Sequence, residues 1–403
     1  MKSMIVPRVG SLETLLPMSV ETDNLVDRPV KGLASLIRNY EIDGAGVGER
    51  AFDVIARKTI NEKFKNRYPI KAIDWQDLLV VPIILNIDLK TDLCSGDYAA
   101  NYDRLFGNDR NEWRREKVLR YAETMNEEWH LPLFISSSIL RKASIANPVK
   151  WLIHSRSDRM LDENCPLMVD GSKRIRALTI QGNAKIKAEM IVEKEQLVDW
   201  LPDSFNRQIQ SIMERIKWFP NYQTIREVGI IGGRTSKRYR LLDLTRVSNK
   251  TIADFGCNIG QSCLEYYYRG AEKVYGFDVQ PEVVEIANLI SASLGIADKV
   301  KFFQVDFNAT DCFSVMDNIL PDQLDYSSFL SVYRTKELTQ RERLFDYIIK
   351  KTKDVVFFEG HADKRIDTIG YYEALFERSC VTGEFRGYGE NGIRPLFQLV
   401  KTH

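Results

Sequence analysis

Thr251 to Asp278 reads TIADFGCNIGQSCLEYYYRGAEKVYGFD. Thr251 to Asp254 has the character of a short buried strand. Gly256 follows and permits a tight turn, and Gly260 lets the next helix approach the sheet closely. The helix begins near Ile259 and turns a positive dipole end and free backbone N–H groups toward whatever lies beyond the strand. A second strand, Lys273 to Asp278, ends on a carboxylate 18 residues after Gly260. An acid there is placed to accept hydrogen bonds from two ribose hydroxyls, so the stretch predicts a pocket for an adenosine-bearing cofactor.

Working outward, a third strand is predicted at Val300 to Asp306, again ending on an acid. From about Lys250 onward strands and helices alternate, as in a parallel sheet covered on both faces. A dinucleotide-binding dehydrogenase is the rival reading of the glycine turn. Its fingerprint wants three glycines, whereas this turn supplies only Gly256 and Gly260.

The sequence D-F-G-C-N-I-G at Asp254 to Gly260, the acid Asp278 and V-D-F at Val305 to Phe307 resemble the class I S-adenosylmethionine-dependent methyltransferases. The resemblance runs on through Asp325 to Tyr333, similar to that family's fourth strand and active-site edge, and Asp354 to His361, similar to the fifth. Arg394 to Val400 is similar to the reversed last strand. It implies an α/β fold: a seven-stranded, mostly parallel Rossmann-like domain. It further implies S-adenosylmethionine as cofactor, with Asp278 on the ribose, Asp306 and Phe307 on the adenine, and Gly256, Asn258 and Gly260 leaving room for the methionine part. Val279 and Ser331 join the implied cofactor contacts, and Asp254 is either a contact or an acid that fixes the turn. Asn258 stands where the commonest form has a middle glycine.

Upstream, YQTIREVGIIGGRTSKRYRLLD (Tyr222 to Asp243) resembles a segment that folds over the cofactor in methyltransferases acting on sugars, lipids or modified nucleosides. Tyr222, Gln223 and Arg234 are its candidate contacts, Arg234 being able to pair with a carboxylate through two parallel hydrogen bonds. For catalysis, a hydroxyl acceptor needs a base. Of the four histidines only His361 lies just past a predicted central strand, beside Glu359, and His361, Glu359 and Tyr333 are the candidate catalytic residues. Tyr333 and Arg334, after the fourth strand, are similarly placed, and Arg334 could hold an anionic substrate. No cluster of hard oxygen ligands argues for a metal.

Pro166 to Val192 predicts strand, turn, helix and strand. It resembles the ParB/sulfiredoxin-like fold, an α+β domain whose D-G turn presents a helix start and an arginine to nucleotide phosphates. Here Asp170, Gly171, Ser172, Lys173 and Arg174 are the implied phosphate-binding residues, with Lys173 where that family usually has histidine. ATP or CTP is the nucleotide this implies. Leu78 to Asp88 reads as a buried strand pair or a strand interrupted by Pro82. Asp109 to Trp129 reads as a charge-rich helix with Trp113, Leu119, Ala122 and Met125 turned inward, and Gln208 to Tyr222 as another helix. Arg50 to Tyr68 has helical spacing of Phe52, Ile55, Ile60 and Phe64. Gly44, Gly46 and Gly48 mimic a cofactor loop, but no buried strand precedes them.

The expected organisation is a helical extension (1–74), the ParB-like domain (75–200), a linker and lid (201–249) and the methyltransferase domain (250–403). At 403 residues, more than one core is expected. Hydrophobic residues at 44% and charged residues at 28% are globular composition. A net charge of +1 supplies no overall field for gathering nucleic acid or anionic membrane. The six cysteines are scattered, with no C-x-x-C pair. No signal peptide is evident in Met1 to Gly10, and the longest apolar run, Leu78 to Leu85, is far short of a membrane span. A cytoplasmic location is therefore expected. The expected reaction is O-methyl transfer to a small-molecule or glycan-like acceptor, phosphorylated or not. The alternatives are a bifunctional kinase and methyltransferase, a nucleic-acid-modifying enzyme with a ParB-like binding domain, and a cofactor-binding protein without catalysis.

Overall fold

The computed structural model describes residues 37–42, 78–89, 93–107, 112–125, 131–136, 138–139, 167–201, 203–216, 223–233, 237–361, 367–389 and 392–401. The helix expected at 50–68 and the glycine run at 44–48 lie outside these residues.

The first sheet holds β1 (Ile37–Ile42), β2 (Leu78–Ile87), β3 (Leu133–Ile135), β4 (Leu167–Asp170) and β5 (Lys185–Glu193), in the order β1-β2-β5-β3-β4. Only the β3–β5 pair is parallel. Helices α1 (Tyr98–Phe106), α2 (Glu112–Thr124) and α3 (Ser172–Ile180) accompany it. Pro82 does not interrupt β2, which runs unbroken for ten residues and pairs with β5 throughout. The reason lies on the other side. Pairing with β1 stops at Ile83, so the missing N–H of Pro82 falls where β2 has no described neighbour on that edge.

Trp113 also departs from expectation, for it is 60% exposed. The buried positions of α2 are Val118 and Ala122, and Trp113 lies about 140° around the helix from Val118 at 100° per residue. Its ring instead receives the ammonium groups of Lys117 and Lys173, at 5.2 and 4.4 Å from its centroid. Helix α4 spans Asp203–Arg215, beginning five residues earlier than the sequence suggested, and buries Phe205, Ile209 and Ile212 at helical spacing.

The second sheet holds β6 (Thr251–Phe255), β7 (Lys273–Asp278), β8 (Val300–Gln304), β9 (Leu324–Leu330), β10 (Thr352–Glu359), β11 (Val381–Tyr388) and β12 (Pro395–Lys401). Helices α5 (Gln261–Tyr268), α6 (Pro281–Ser293), α7 (Cys312–Ile319), α8 (Arg341–Lys351) and α9 (Ile369–Arg378) alternate with its strands. The order is β11-β12-β10-β9-β6-β7-β8. Strands β6 to β10 run parallel, and β12 is antiparallel to both its neighbours. Strand order reverses at β6: its chain successor β7 lies on one side and β9 on the other. A crevice forms beyond the carboxyl ends of the strands at such a point. Strand β8 ends at Gln304, so Asp306 lies two residues past it rather than on its tip.

The two sheets share a continuous apolar core that includes Leu79 and Val81 of the first and Ile252 and Phe357 of the second. A buried ionic hub crosses the same boundary. Lys194, directly after β5, places its Nζ 2.7 Å from Glu265 of α5 and 3.3 Å from Glu227. It also lies over the ring of Tyr268. No described helix is long and apolar enough to cross a membrane.

Candidate active site

The turn after β6 is shaped by three residues with positive φ: Gly256 (87°), Asn258 (50°) and Gly260 (93°). The backbone N–H groups of Gly256 and Cys257 both donate to the carbonyl of Phe277, at 2.8 and 2.9 Å, which ties the turn to β7. The glycines do not simply leave space open. A Cβ on Gly256 would strike the side chain of Val332, and one on Gly260 would lie 2.6 Å from Cζ of Phe302. Their smallness admits neighbouring side chains.

Asp278 closes β7. Its Oδ2 accepts from the N–H of Asn258 at 2.9 Å and its Oδ1 from that of Gln280 at 3.1 Å. Burial pushes its carboxyl above the usual range, against these backbone hydrogen bonds. Val279 beside it is 48% exposed. Asp306 is exposed and accepts from the N–H of Asn308 at 2.9 Å. Phe307 turns away from the rim. It is 5% exposed and its ring packs 6.4 Å from that of Phe255 in the core, so it offers no open apolar wall.

The segment preceding β6 docks directly on the turn. Gln223 is buried, donates to the carbonyl of Cys257 at 3.1 Å and accepts from the N–H of Gln261 at 3.2 Å. It thus staples the two ends of the turn. Tyr222 and Arg234 lie outside the described residues. Arg238 is the residue the sequence reading missed. It is 2% exposed, and its guanidinium lies 2.9 Å from the Tyr239 hydroxyl and 3.3 Å from both Ser262 Oγ and Glu359 Oε2. Its Nε has no hydrogen-bond partner, and neither has Oδ1 of the buried Asn258. Burial works against the charge of Arg238, yet Tyr239 and Glu359 leave it held above its ordinary value.

Asp254 belongs to the same buried network. Ser328 Oγ donates to it at 2.6 Å, which bridges β6 to β9. Burial pushes its carboxyl up to about 6.

On the β9 and β10 side, Ser331 takes a positive φ of 65° and donates its N–H to the carbonyl of Glu359 at 2.9 Å. Its hydroxyl donates to Glu359 Oε2. Glu359 is therefore buried between Ser331 and Arg238. His361 is half-buried just beyond, its N–H donating to the Tyr372 hydroxyl at 3.1 Å. Tyr372 in turn donates to Asp367 at 2.6 Å. Arg334 lies 3.6 Å from Asp367 and reaches the Tyr371 hydroxyl at 3.4 Å. Tyr333 adjoins this group through Tyr371. It is 1% exposed, with its ring edge-on to Phe329, Phe345 and Phe358, and burial pushes its hydroxyl far up. A side chain in that aromatic core is enclosed by the fold rather than open at the strand end.

In the first sheet, Gly171 (φ 99°) caps α3, and a Cβ there would lie 2.7 Å from Cα of Pro132. Ser172 is exposed, while Lys173 and Arg174 are half-buried, Lys173 lying over Trp113. The side chain of Asp170 lies outside the described residues. The strand–glycine–helix turn is present as expected; the geometry assigns it no ligand.

No family model matches the chain. A stretch of 92 residues is 34% identical to ribosomal protein L11 methyltransferase of Photobacterium profundum, covering 22% of this chain and 31% of that protein. Among solved structures, magnesium protoporphyrin IX methyltransferase from Synechocystis PCC 6803 with bound S-adenosylmethionine is similar over 52% of this chain and 98% of its own, at 14% identity and a TM-score of 0.35. The bifunctional kinase-methyltransferase WbdD is similar over 48% and 46%, at 18% identity and a TM-score of 0.38. An S-adenosylmethionine-dependent methyltransferase from Mesorhizobium loti is similar over 40% and 95%, at 15% and 0.32. Structural likenesses this weak carry no argument about chemistry. What stands is the chain's own architecture, an α/β fold whose mostly parallel seven-stranded sheet suits a Rossmann-like methyltransferase.

Proposed function

We propose that the chain is an S-adenosylmethionine-dependent methyltransferase. The observation that carries this reading is the pairing of the glycine turn after β6 with Asp278 at the tip of β7, at the switch point of a sheet whose last strand is reversed. The 92-residue relative supports it. When bound, the cofactor supplies a methyl group on a sulfonium that departs as a neutral thioether. Asp278 is placed for the ribose hydroxyls, Val279 and Asp306 for the adenine. Asn258 Oδ1 and Arg238 Nε, buried polar atoms without partners, suit the ammonium and carboxylate of the amino-acid half.

The acceptor side lies past β9 and β10. His361 is the candidate base that takes the proton of an acceptor hydroxyl, and Arg334 beside Tyr371 suits a polar or anionic group. We take the acceptor to be a small molecule or glycan, phosphorylated or not. The comparisons lend no support to ATP or CTP at the first sheet, and no nucleotide chemistry is proposed there. Incubation with methyl-labelled cofactor and fractionated extract tests the reading. Label should pass to one fraction with wild type and fall at least tenfold with His361→Ala; no transfer to any fraction would count against it.

A further inference from the structure

Arg238 and Glu359 form an ion pair that is buried yet poorly made. Their one contact is 3.3 Å long, between Nη1 and Oε2, whereas a well-formed guanidinium–carboxylate pair makes two parallel hydrogen bonds of about 2.7–2.9 Å. The guanidinium has five N–H donors, and its Nε is left without a partner although the residue is 2% exposed. The same Oε2 of Glu359 is held more firmly by the hydroxyl of Ser331, whose N–H also bonds the backbone carbonyl of Glu359. Arg238 also touches Ser262 on the first turn of α5, and the preceding turn presents the unpartnered Oδ1 of Asn258. This part of the buried network thus has a cation with a spare donor and a spare acceptor, and a side-chain carboxylate only half satisfies the cation.

We infer that Glu359 is a stand-in carboxylate. It neutralises Arg238 until the carboxylate of the cofactor's amino-acid half takes that position, and binding then releases Glu359 onto Ser331 alone. The inference rests on the proposed cofactor. It makes Glu359 a competitor of the cofactor rather than one of its contacts, and it sets an order of events. Glu359 faces the acceptor edge of β10 unpaired from Arg238 only after the methyl donor is seated.

The consequence runs opposite to that of an ordinary contact residue. Removing the Glu359 charge leaves Arg238 without its anion, so a carboxylate-bearing ligand should bind more tightly. Calorimetric titration with S-adenosylhomocysteine should show Glu359→Gln binding on the order of tenfold more tightly than wild type, within the range of ordinary coupling between sites. Glu359→Asp, which keeps the charge but withdraws it by one methylene, should change affinity in the same direction and guards against a folding defect in the glutamine variant. 5′-Methylthioadenosine, which lacks the amino and carboxylate groups, should bind wild type and both variants equally. Weaker or unchanged S-adenosylhomocysteine binding in both variants overturns the inference. So does a gain of equal size for both ligands, because that would show a general opening of the pocket. Absence of S-adenosylhomocysteine binding to wild type would instead overturn the methyltransferase reading itself.

Discussion

Phe302 of β8 lies under the glycine turn, and its ring occupies the space that side chains at two glycines would need. A Cβ at Gly276 would lie 2.8 Å from Cε1 of Phe302 and 2.9 Å from Sγ of Cys257. One at Gly260 would lie 2.6 and 2.8 Å from Cζ and Cε1. The phenyl ring is buried and rigid, so it cannot yield as the end of a lysine would. Gly276→Ala has no positive φ to contend with, so its cost is overpacking alone, about 1–3 kcal/mol. Gly260→Ala meets the same ring and also forces alanine to a φ of 93°, which adds about 1–2 kcal/mol. Urea unfolding followed by circular dichroism measures both, alone and combined with Phe302→Ala, which removes the ring altogether. In the Phe302→Ala background the cost of Gly276→Ala should fall, a coupling of about 1–3 kcal/mol between residues in contact, with Sγ of Cys257 keeping a remainder. That of Gly260→Ala should keep its backbone share. If Gly276→Ala costs the same in both backgrounds, the ring is not what requires glycine there, and the account of the turn is wrong.

Lys194→Met should destabilise the protein by about 3–5 kcal/mol, because it leaves buried Glu227 without its cation and Glu265 with only the looser Arg269 contact at 3.7 Å. Glu265→Gln added to it should restore part of the loss, and a single-variant cost below about 1 kcal/mol would contradict a buried hub. Asp254 titrates near 3.8 when unfolded and about 6 when folded, so the folded state binds that proton more tightly. Its contribution is full below about pH 4 and is lost as pH rises through 6, a change of up to roughly 3 kcal/mol. Asp254→Asn should lack this slope, so its stability relative to wild type should rise between pH 4 and 7; parallel curves would refute the assignment.

What was legible in the sequence was what is local. Strand β6, its turn, α5 and β7 follow one another within 28 residues, and each is dictated by its own residue types. Asp278 could be placed because a strand tip has one address. Arg238 could not, because Arg234, Arg238 and Arg240 read alike until the fold decides which is enclosed. The burial of Phe307 and Tyr333 was not legible for a related reason. Both follow the ends of strands, where side chains no longer alternate, and at Ser331 a positive φ redirects the chain. Pro82 looked like a break by a sound rule, but the rule applies only where both edges are paired, and β1 stops one residue short of it. Lys194 carried no signal at all, since its partners are 33 and 71 residues away.

The central claim is that the turn after β6 and the carboxylate of Asp278 together hold a methyl donor. Calorimetric titration of the wild-type chain and of Asp278→Ala with S-adenosylmethionine tests it most directly, with circular dichroism confirming that the variant is folded. A saturable one-to-one heat in wild type that is lost in folded Asp278→Ala is the predicted result. No heat with wild type, or the same affinity in both proteins, would contradict the account.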